Sequence, residues 1–176
     1  MYIRNHQLIT ERLTLKSIEE SSKEDFIKIF TNEKVKETYM IPDFKDEMEK
    51  ETFFYRLKAV SENRDRFVYA IYLKERIIGF LNEVSKKGDT MEVGYFIDPK
   101  YWNKGYASEA LEASIQELFK IGINHVKAAY FEGNDASKRV MEKCHMKLIE
   151  EEEYILYHNV NHRCIYYQID NPDVIY

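Results

Sequence analysis

Residues 91–110 carry the clearest chemical signal in the chain. They read MEVGYFIDPKYWNKGYASEA, a strand-like segment whose turn at Gly105 opens directly into an amphipathic helix. The start of a helix leaves backbone N–H groups unpaired and carries roughly +0.5 of a charge. Gly105 allows close backbone approach, Ala107 is too small to obstruct it, and Ser108 adds a hydroxyl. The segment predicts an anion site suited to a diphosphate, with an ordinary strand-to-helix turn as the alternative.

Hydrophobic periodicity predicts the elements that position this turn. Alternating leucines indicate a strand at 12–16, and helical spacing indicates helices near 22–30 and 46–63. Further strands are predicted at 67–73, 77–84, 91–97, 126–131, 147–157 and 163–169, with helices over 107–118 and 134–144. The order βααβββαβαββ predicts an α/β fold. Because a helix connects 91–97 to 126–131, these two strands should be parallel neighbours.

Length and composition limit the architecture and the partners. A chain of 176 residues, 44% hydrophobic, predicts one domain spanning residues 1–176. The net charge of -5 and the lack of a basic stripe argue against nucleic-acid binding. We find no apolar run approaching the ~18 residues of a membrane span and no signal peptide at the N-terminus, so we expect a soluble, cytoplasmic protein.

The cysteines and histidines do not predict a metal site. Cys144 and Cys164 are expected to be free thiols in a reducing cytosol. His158, His162 and Cys164 lie where a hairpin turn is predicted and lack the paired ligand spacing of zinc motifs. We therefore predict no metal ligand in this chain.

Three segments resemble the GNAT acyltransferases. Residues 102–107, WNKGYA, resemble the acetyl-CoA-binding motif [QR]-x-x-G-x-[GA], with Trp102 in place of Gln or Arg. Residues 9–16, ITERLTLK, are similar to the opening strand of the branch that resembles ribosomal-protein-alanine N-acetyltransferases. Residues 134–143 resemble its Asn-x-x-Ser-x-x-[VL]-x-Glu-Lys helix, and residues 144–146 depart from the usual Leu-Gly-Phe. The resemblance implies a mixed, mostly antiparallel sheet flanked by helices, with a splayed parallel strand pair.

The resemblance also implies how acetyl-CoA would bind. Its pantetheine arm would run along the strand that ends in Tyr95, Phe96 and Ile97, pairing as an extra strand does. Its diphosphate would meet backbone N–H groups of the turn and the first helical residues, namely Asn103, Lys104, Gly105, Tyr106, Ala107 and Ser108. Lys104 and Lys143 would add charge at the rim, while Asn134 would cap a helix and contact the pantetheine arm.

Acyl transfer to an amine needs a base, because an ammonium group is not a nucleophile. Only about one lysine amine in ~2,500 is neutral at pH 7, against about one-seventh of terminal α-amines. The family's Glu-x-Gly-Tyr strand is matched by residues 92–95, so Glu92 is the candidate base, acting through water. A solvated strand glutamate paired with a lysine is the alternative.

The departing thiolate, with a pKa near ~8.5, needs a proton donor. Ser137 or Tyr130 would supply it, and the family's Asn-x-x-Ser helix favours Ser137. Gly94 in mid-strand suggests a bulge that would splay the parallel pair and open a cleft, or else a glycine packed beneath an aromatic ring.

These inferences predict an acetyl-CoA-dependent N-acetyltransferase that works by direct transfer in a ternary complex. The acceptor stays open among a protein α-amine, a polyamine, an amino sugar or drug amine, and a free amino acid. A non-catalytic CoA-binding module is the alternative. The sequence lacks both the G-x-G-x-x-G and the G-x-x-x-x-G-K-[ST] patterns, which argues against an NAD- or nucleotide-binding protein. The acids at 150–153 are a solvated face or an electrostatic guide for cations. A homodimer through the hairpin at 147–169 is also predicted as a possibility.

Overall fold

One eight-stranded sheet organises the chain in the computed structural model, which describes residues 2–174. Its spatial order is β1-β2-β3-β4-β5-β6-β8-β7, and β5 with β6 is its parallel pair. The strands are β1 (Leu8–Ile9), β2 (Leu13–Lys16), β3 (Val68–Leu73), β4 (Arg76–Lys87), β5 (Thr90–Ile97), β6 (His125–Phe131), β7 (Lys147–Tyr157) and β8 (Val160–Asp170). The predicted mixed, mostly antiparallel sheet is therefore confirmed.

Five helices flank this sheet within residues 2–174. They are α1 (Lys23–Phe30), α2 (Glu33–Lys36), α3 (Glu47–Glu62), α4 (Tyr106–Lys120) and α5 (Asp135–Lys143), with two short 3-10 turns at Glu20–Ser22 and Pro99–Tyr101. The sequence pattern did not predict β1 or α2, because two and four residues are too few to show a period. The other elements agree with the predicted order, and most ends differ by one or two residues.

Two apolar layers cover the faces of the sheet. On one face α4 buries Ala110, Leu111, Ile115 and Leu118, which recur at helical spacing. On the other face an aromatic cluster forms around Phe26 of α1, whose ring lies 5.6 Å from that of Phe80. These layers hold β4 and β5 rigidly between them.

The parallel pair separates part-way along its length. β5 and β6 pair only from Thr90 with His125 to Glu92 with Lys127. Beyond Glu92, β5 pairs with β4 alone, whereas β6 continues beside β8 as far as Phe131. The predicted splay is confirmed, and it leaves one edge of residues 93–97 open.

The predicted bulge at Gly94 is wrong. Gly94 pairs in regular register with Asn82, and the irregularity lies on the partner strand between Glu83 and Ser85. Packing explains the glycine, because a Cβ at this position would lie 3.0 Å from Cε2 of Tyr39. Gly94 is thus the glycine beneath an aromatic ring, which was the alternative interpretation.

Candidate active site

Two neighbouring clefts meet where β5 and β6 part. The first, here called the helix cleft, has a volume of about 280 Å³ and lies between the end of β5, the turn before α4 and the face of α5. The second, the strand cleft, has a volume of about 300 Å³ and lies between the strands β4 to β8 and the loop after α2. Thr38, Tyr95 and Ser137 line both clefts, so the two clefts adjoin at these residues.

The helix cleft collects most of the residues predicted to bind a cofactor. Those that line it are Tyr95, Phe96, Ile97, Asn103, Gly105, Tyr106, Ala107, Ser108, Asn134 and Lys143. Lys104 is absent from this lining, since its ammonium donates to the carbonyl of Lys100 at 3.2 Å and lies over the ring of Tyr101. A role for Lys104 at the rim stays a prediction.

The turn before α4 presents backbone donors to this cleft. Asn103 and Gly105 both adopt positive φ, at 60° and 81°, and Gly105 caps the helix without a side chain. The N–H groups of Tyr106, Ala107 and Ser108 have no hydrogen-bond partner among residues 2–174. Three adjacent free donors at a positive helix end form an environment suited to an anion.

Trp102 ties this turn to the strand before it. Its indole Nε1 donates to the carbonyl oxygen of Ile97 at 2.7 Å. The carbonyl of Ile97 is therefore already engaged, and a ligand pairing with β5 as an extra strand has the open edge of the preceding residues for its hydrogen bonds. The tryptophan that departs from the family motif thus has a structural role of its own.

Two cations at the cleft have no acidic partner. Arg139 and Lys143 line it from α5, and neither makes an ion pair or a side-chain hydrogen bond with any residue that the structure describes. Sequence reasoning missed Arg139, along with Thr38, Tyr101 and Trp102. The signal was available for Arg139, because positions 136, 139, 140 and 143 share one helical face with Ser137 nearby.

Asn134 organises the boundary where the two clefts adjoin. Its Oδ1 accepts the backbone N–H of Ser137 at 3.2 Å, which caps α5, and its Nδ2 donates to the hydroxyl of Ser137 at 3.0 Å. Ser137 Oγ therefore accepts a hydrogen bond, while within residues 2–174 its own proton is not donated to another group. Tyr130 lines the strand cleft, and burial raises its pKa.

Glu92 lies half-buried in the strand cleft. The hydroxyl of Ser85 donates to its Oε2 at 3.1 Å. Burial, followed by the neighbouring negative charges of Glu153 and Glu151, raises the pKa of Glu92, although Ser85 and Lys127 oppose the rise. A carboxylate with a raised pKa in a cleft is a stronger base than a solvated one.

The acidic run at 150–153 is divided between the two faces of β7. Glu152 pairs with Arg163 at 2.5 Å and opposes Ile165, while Glu151 pairs with Lys127. Glu153 accepts the hydroxyl of Tyr166 at 3.0 Å, and Tyr166 lines the strand cleft. Glu153 therefore lies on the cleft side of the sheet beside Glu92, a long-range placement that no local pattern indicated.

The hairpin of β7 and β8 also supports the loop after α2, which lines both clefts at Thr38. The hydroxyl of Tyr157 lies 3.1 Å from the carbonyl of Ile41 and 3.3 Å from that of Tyr39. The Tyr39 hydroxyl in turn donates to Asn82, and its ring packs against Phe96. Loop and sheet are thereby fixed to each other at the strand cleft.

Comparison with known proteins identifies the family. Residues 12–147 match the model of the acetyltransferase (GNAT) domain. The chain belongs to the GNAT acetyltransferase family. The uncharacterized N-acetyltransferase YoaA of Bacillus subtilis is 28% identical over 142 residues, which cover 77% of this chain and 80% of that protein. Family membership makes this protein an acetyltransferase enzyme.

Two solved structures show the same fold. The ribosomal-protein-S5-alanine acetyltransferase from Vibrio fischeri has a TM-score of 0.79 at 19% identity, covering 96% of this chain and 98% of its own. The microcin C7 self immunity acetyltransferase MccE, in complex with acetyl-CoA and AMP, has a TM-score of 0.78 at 18% identity, covering 92% of this chain and 94% of its own.

The cysteines of this GNAT acetyltransferase are poor nucleophiles. Burial raises the pKa of Cys144 to about 12 and that of Cys164 to about 11. Cys144 donates its S–H to the carbonyl of Ser108 at 3.3 Å, behind the helix cleft. Because the thiolate is the reactive form, neither side chain favours a covalent acyl intermediate at neutral pH.

The histidines near the hairpin have other partners. His158 pairs with Asp43 at 3.2 Å, and the ring of His162 stacks on Phe131 at 4.4 Å. Residues 2–174 contain no group of three His, Cys, Asp or Glu side chains placed to hold a metal ion. Within the same range, every helix is too short or too polar to cross a bilayer.

Proposed function

We propose that the protein transfers an acetyl group from acetyl-CoA to a primary amine by direct attack in a ternary complex. The observation that carries this proposal is the pair of adjoining clefts, one with free helix-terminal donors and the other with Glu92. The opposite electrostatic characters of the clefts suit an anionic donor and a cationic acceptor.

The helix cleft would hold acetyl-CoA. Backbone N–H groups from Gly105 to Ser108 would bind the diphosphate, with Arg139 and Lys143 adding charge at the rim. The open edge of β5 at residues 93–96 would pair with pantetheine amides. Bound in this way, the thioester would point towards Ser137 and the strand cleft, where the acceptor would bind.

Transfer requires three proton movements and one exchange of bonds. Glu92, through water, takes the proton that the ammonium must lose, and the free amine nitrogen then bonds to the thioester carbonyl carbon. The carbon–sulfur bond breaks as the tetrahedral intermediate collapses, and the hydroxyl of Ser137 donates its proton to the departing thiolate. The nitrogen then gives its second proton to Ser137 as the neutral amide forms, which restores the serine hydroxyl. Asn134 Nδ2 donates to that hydroxyl oxygen, so the hydroxyl proton would be available to the thiolate.

A protein α-amine is the acceptor that we favour. Its pKa near ~7.8 demands less of the base than a lysine side chain does, and the relative from Vibrio fischeri is named for a ribosomal-protein alanine substrate. Polyamines, amino sugars and free amino acids remain the small-molecule alternatives. A CoA-binding module without turnover is disfavoured, because Glu92 and Ser137 line the same cleft.

The test is a calorimetric titration with acetyl-CoA, followed by a thiol-release screen over terminal-amine peptides, polyamines and aminoglycosides. We expect micromolar binding and thiol release with at least one amine class. Binding without release on any amine would favour the module. Failure to bind acetyl-CoA would contradict the assignment of the helix cleft.

A further inference from the structure

The segment before β2 lies behind the turn that begins α4. Glu109, in the first turn of α4, accepts three hydrogen bonds from this segment: Thr10 Oγ1 at 2.5 Å, the backbone N–H of Arg12 at 2.8 Å and Arg12 Nε at 2.7 Å. One carboxylate therefore fixes both the backbone and the side chain of Arg12. The Thr-Glu-Arg-Leu segment singled out in the sequence has no part in the proposed transfer, yet it contacts the cleft turn.

Arg12 Nη2 also pairs with Glu109, at 2.6 Å, so Nη1 is the nitrogen that reaches the turn. Its Nη1 donates to the carbonyl of Lys104 at 2.9 Å, and its guanidinium lies 4.5 Å from the centre of the Tyr106 ring. A Cβ on Gly105 would lie 3.3 Å from Nη2. Arg12 does not line the helix cleft, so it supports the turn from the opposite side.

The contact between Arg12 and the Lys104 carbonyl matters because it fixes the orientation of the peptide unit that joins Lys104 to Gly105. The carbonyl of Lys104 and the N–H of Gly105 belong to one planar trans peptide, so they point in opposite directions. Gly105, at φ 81°, tolerates rotation of that unit better than any other residue type. Without a partner for the carbonyl, the peptide is free to rotate and turn an oxygen towards a bound anion.

We propose that Arg12 is a positioning residue that holds the 104–105 peptide with its N–H towards the diphosphate of the bound donor. This inference rests on the proposed binding of acetyl-CoA. The planar fork of arginine is required, because one side chain must bond Glu109 and the Lys104 carbonyl together. A lysine carries its donors on a single nitrogen and lacks this fork.

The experiment compares two acetyl donors, one that carries the diphosphate that Arg12 is proposed to help bind and one that lacks it. Arg12→Gln and Arg12→Lys are titrated with CoA and assayed with acetyl-CoA and with S-acetylpantetheine, which lacks the diphosphate. We expect Arg12→Gln to weaken CoA binding about tenfold, the effect of one charge-assisted hydrogen bond, and to lower kcat/KM for acetyl-CoA equally. With S-acetylpantetheine, kcat/KM should stay within twofold of wild type. Arg12→Lys should fall between wild type and Arg12→Gln.

Arg56→Gln is the matched control. Arg56 is exposed on α3, its guanidinium lies 4.9 Å from the centre of the Phe53 ring, and it lines neither cleft. It should leave both donors unaffected. Equal losses with both donors, or unchanged CoA binding in both Arg12 variants, would overturn the assignment of Arg12 alone. Wild-type protein that binds no CoA would overturn the proposed function and this assignment with it. If Arg12→Gln fails to fold, Arg12→Lys is used instead, and the ratio of its kcat/KM for acetyl-CoA to that for S-acetylpantetheine decides.

Discussion

The helix cleft and the strand cleft are built in different ways. Most of the helix cleft comes from two short stretches, residues 95–108 and 134–143, each of which is continuous in sequence. The strand cleft gathers residues from Asn82 to Tyr166 on five strands, together with Ser137 of α5 and a loop near residue 39. The first is therefore set by local turns and helix starts, and the second depends on the register of the whole sheet.

The two clefts also differ in charge. Within residues 2–174, the helix cleft combines N–H groups that have no partner with the cations of Arg139 and Lys143, which form no ion pair. In the strand cleft, over the same range, the Glu92 carboxylate accepts a hydrogen bond only from Ser85, and the nearby Glu153 carboxylate accepts one only from Tyr166. Because the charges differ, anionic acetyl-CoA should bind in the helix cleft and the cationic amine in the strand cleft. A substitution in one cleft should therefore leave binding of the other substrate intact.

Replacing the proposed base should have the largest effect. Glu92→Gln keeps the size of the side chain and the bond from Ser85 but removes the basic oxygen. We expect kcat to fall by about 10² to 10⁴, the range for general-base catalysis, with CoA affinity unchanged by calorimetry. Glu152→Gln, on the other face of β7, is the control and should retain full activity. Wild-type rates in Glu92→Gln would remove Glu92 from the mechanism.

Ser137 lies at the boundary of the clefts, and its loss should have the next largest effect. Ser137→Ala removes the hydroxyl but keeps the cap of α5, because Asn134 Oδ1 accepts a backbone N–H. We expect kcat to fall by about 10² or less, at the lower end of general-acid effects, with an unchanged KM for acetyl-CoA. Tyr130→Phe is assayed in parallel. A loss of rate in Tyr130→Phe alone would assign the proton donor to Tyr130.

A glycine substitution tests the helix cleft independently of the strand cleft. Gly105→Ala places a Cβ on a residue at φ 81°, which costs roughly 1–2 kcal/mol in backbone strain. Because this residue lines the helix cleft, we expect the KM for acetyl-CoA to rise about tenfold, the equivalent of that strain, with kcat kept within twofold. Gly122→Ala carries a similar strain at φ 90° with no neighbour within 4 Å. Gly122→Ala should lower the melting temperature without changing the KM for acetyl-CoA. A tenfold rise in KM in this variant too would mean that the effect of Gly105→Ala does not arise in the helix cleft.

The same contrast explains what the sequence predicted. The anion turn at Gly105, the cap at Asn134 and the helix of Ser137 depend on neighbours within a few residues, so pattern and propensity indicated them. The placement of Glu153 beside Glu92 depends on the register between β7 and β8, which shifts between Leu148 and Glu152. The reason for Gly94 was likewise a contact with Tyr39, more than 50 residues earlier in the chain. Contacts of this length leave no local periodicity to detect.

The smallest predicted effect is a shift in pH dependence that tests the strand cleft alone. The groups that face Glu92 are Ser85, Tyr39, Lys127, Glu151, Glu153, Cys164 and Tyr166. Burial raises the pKa of Glu92 most, and the charge of Glu153 raises it further. A base acts as the carboxylate, so activity should rise with pH through this pKa. Glu153→Gln removes a negative neighbour, lowers the pKa and should move the acid limb of kcat/KM to lower pH by less than about one unit.

Glu152→Gln is the matched control for this shift as well. It removes the same charge one residue away, where Arg163 already neutralises it, so the acid limb should not move. CoA affinity should stay constant in both variants, because the helix cleft is untouched. An equal shift in both would mean that the field of the whole acidic strand, rather than the contact of Glu153 with the cleft, sets the basicity of Glu92. An acid limb unmoved in both would show that burial alone raises the pKa of Glu92.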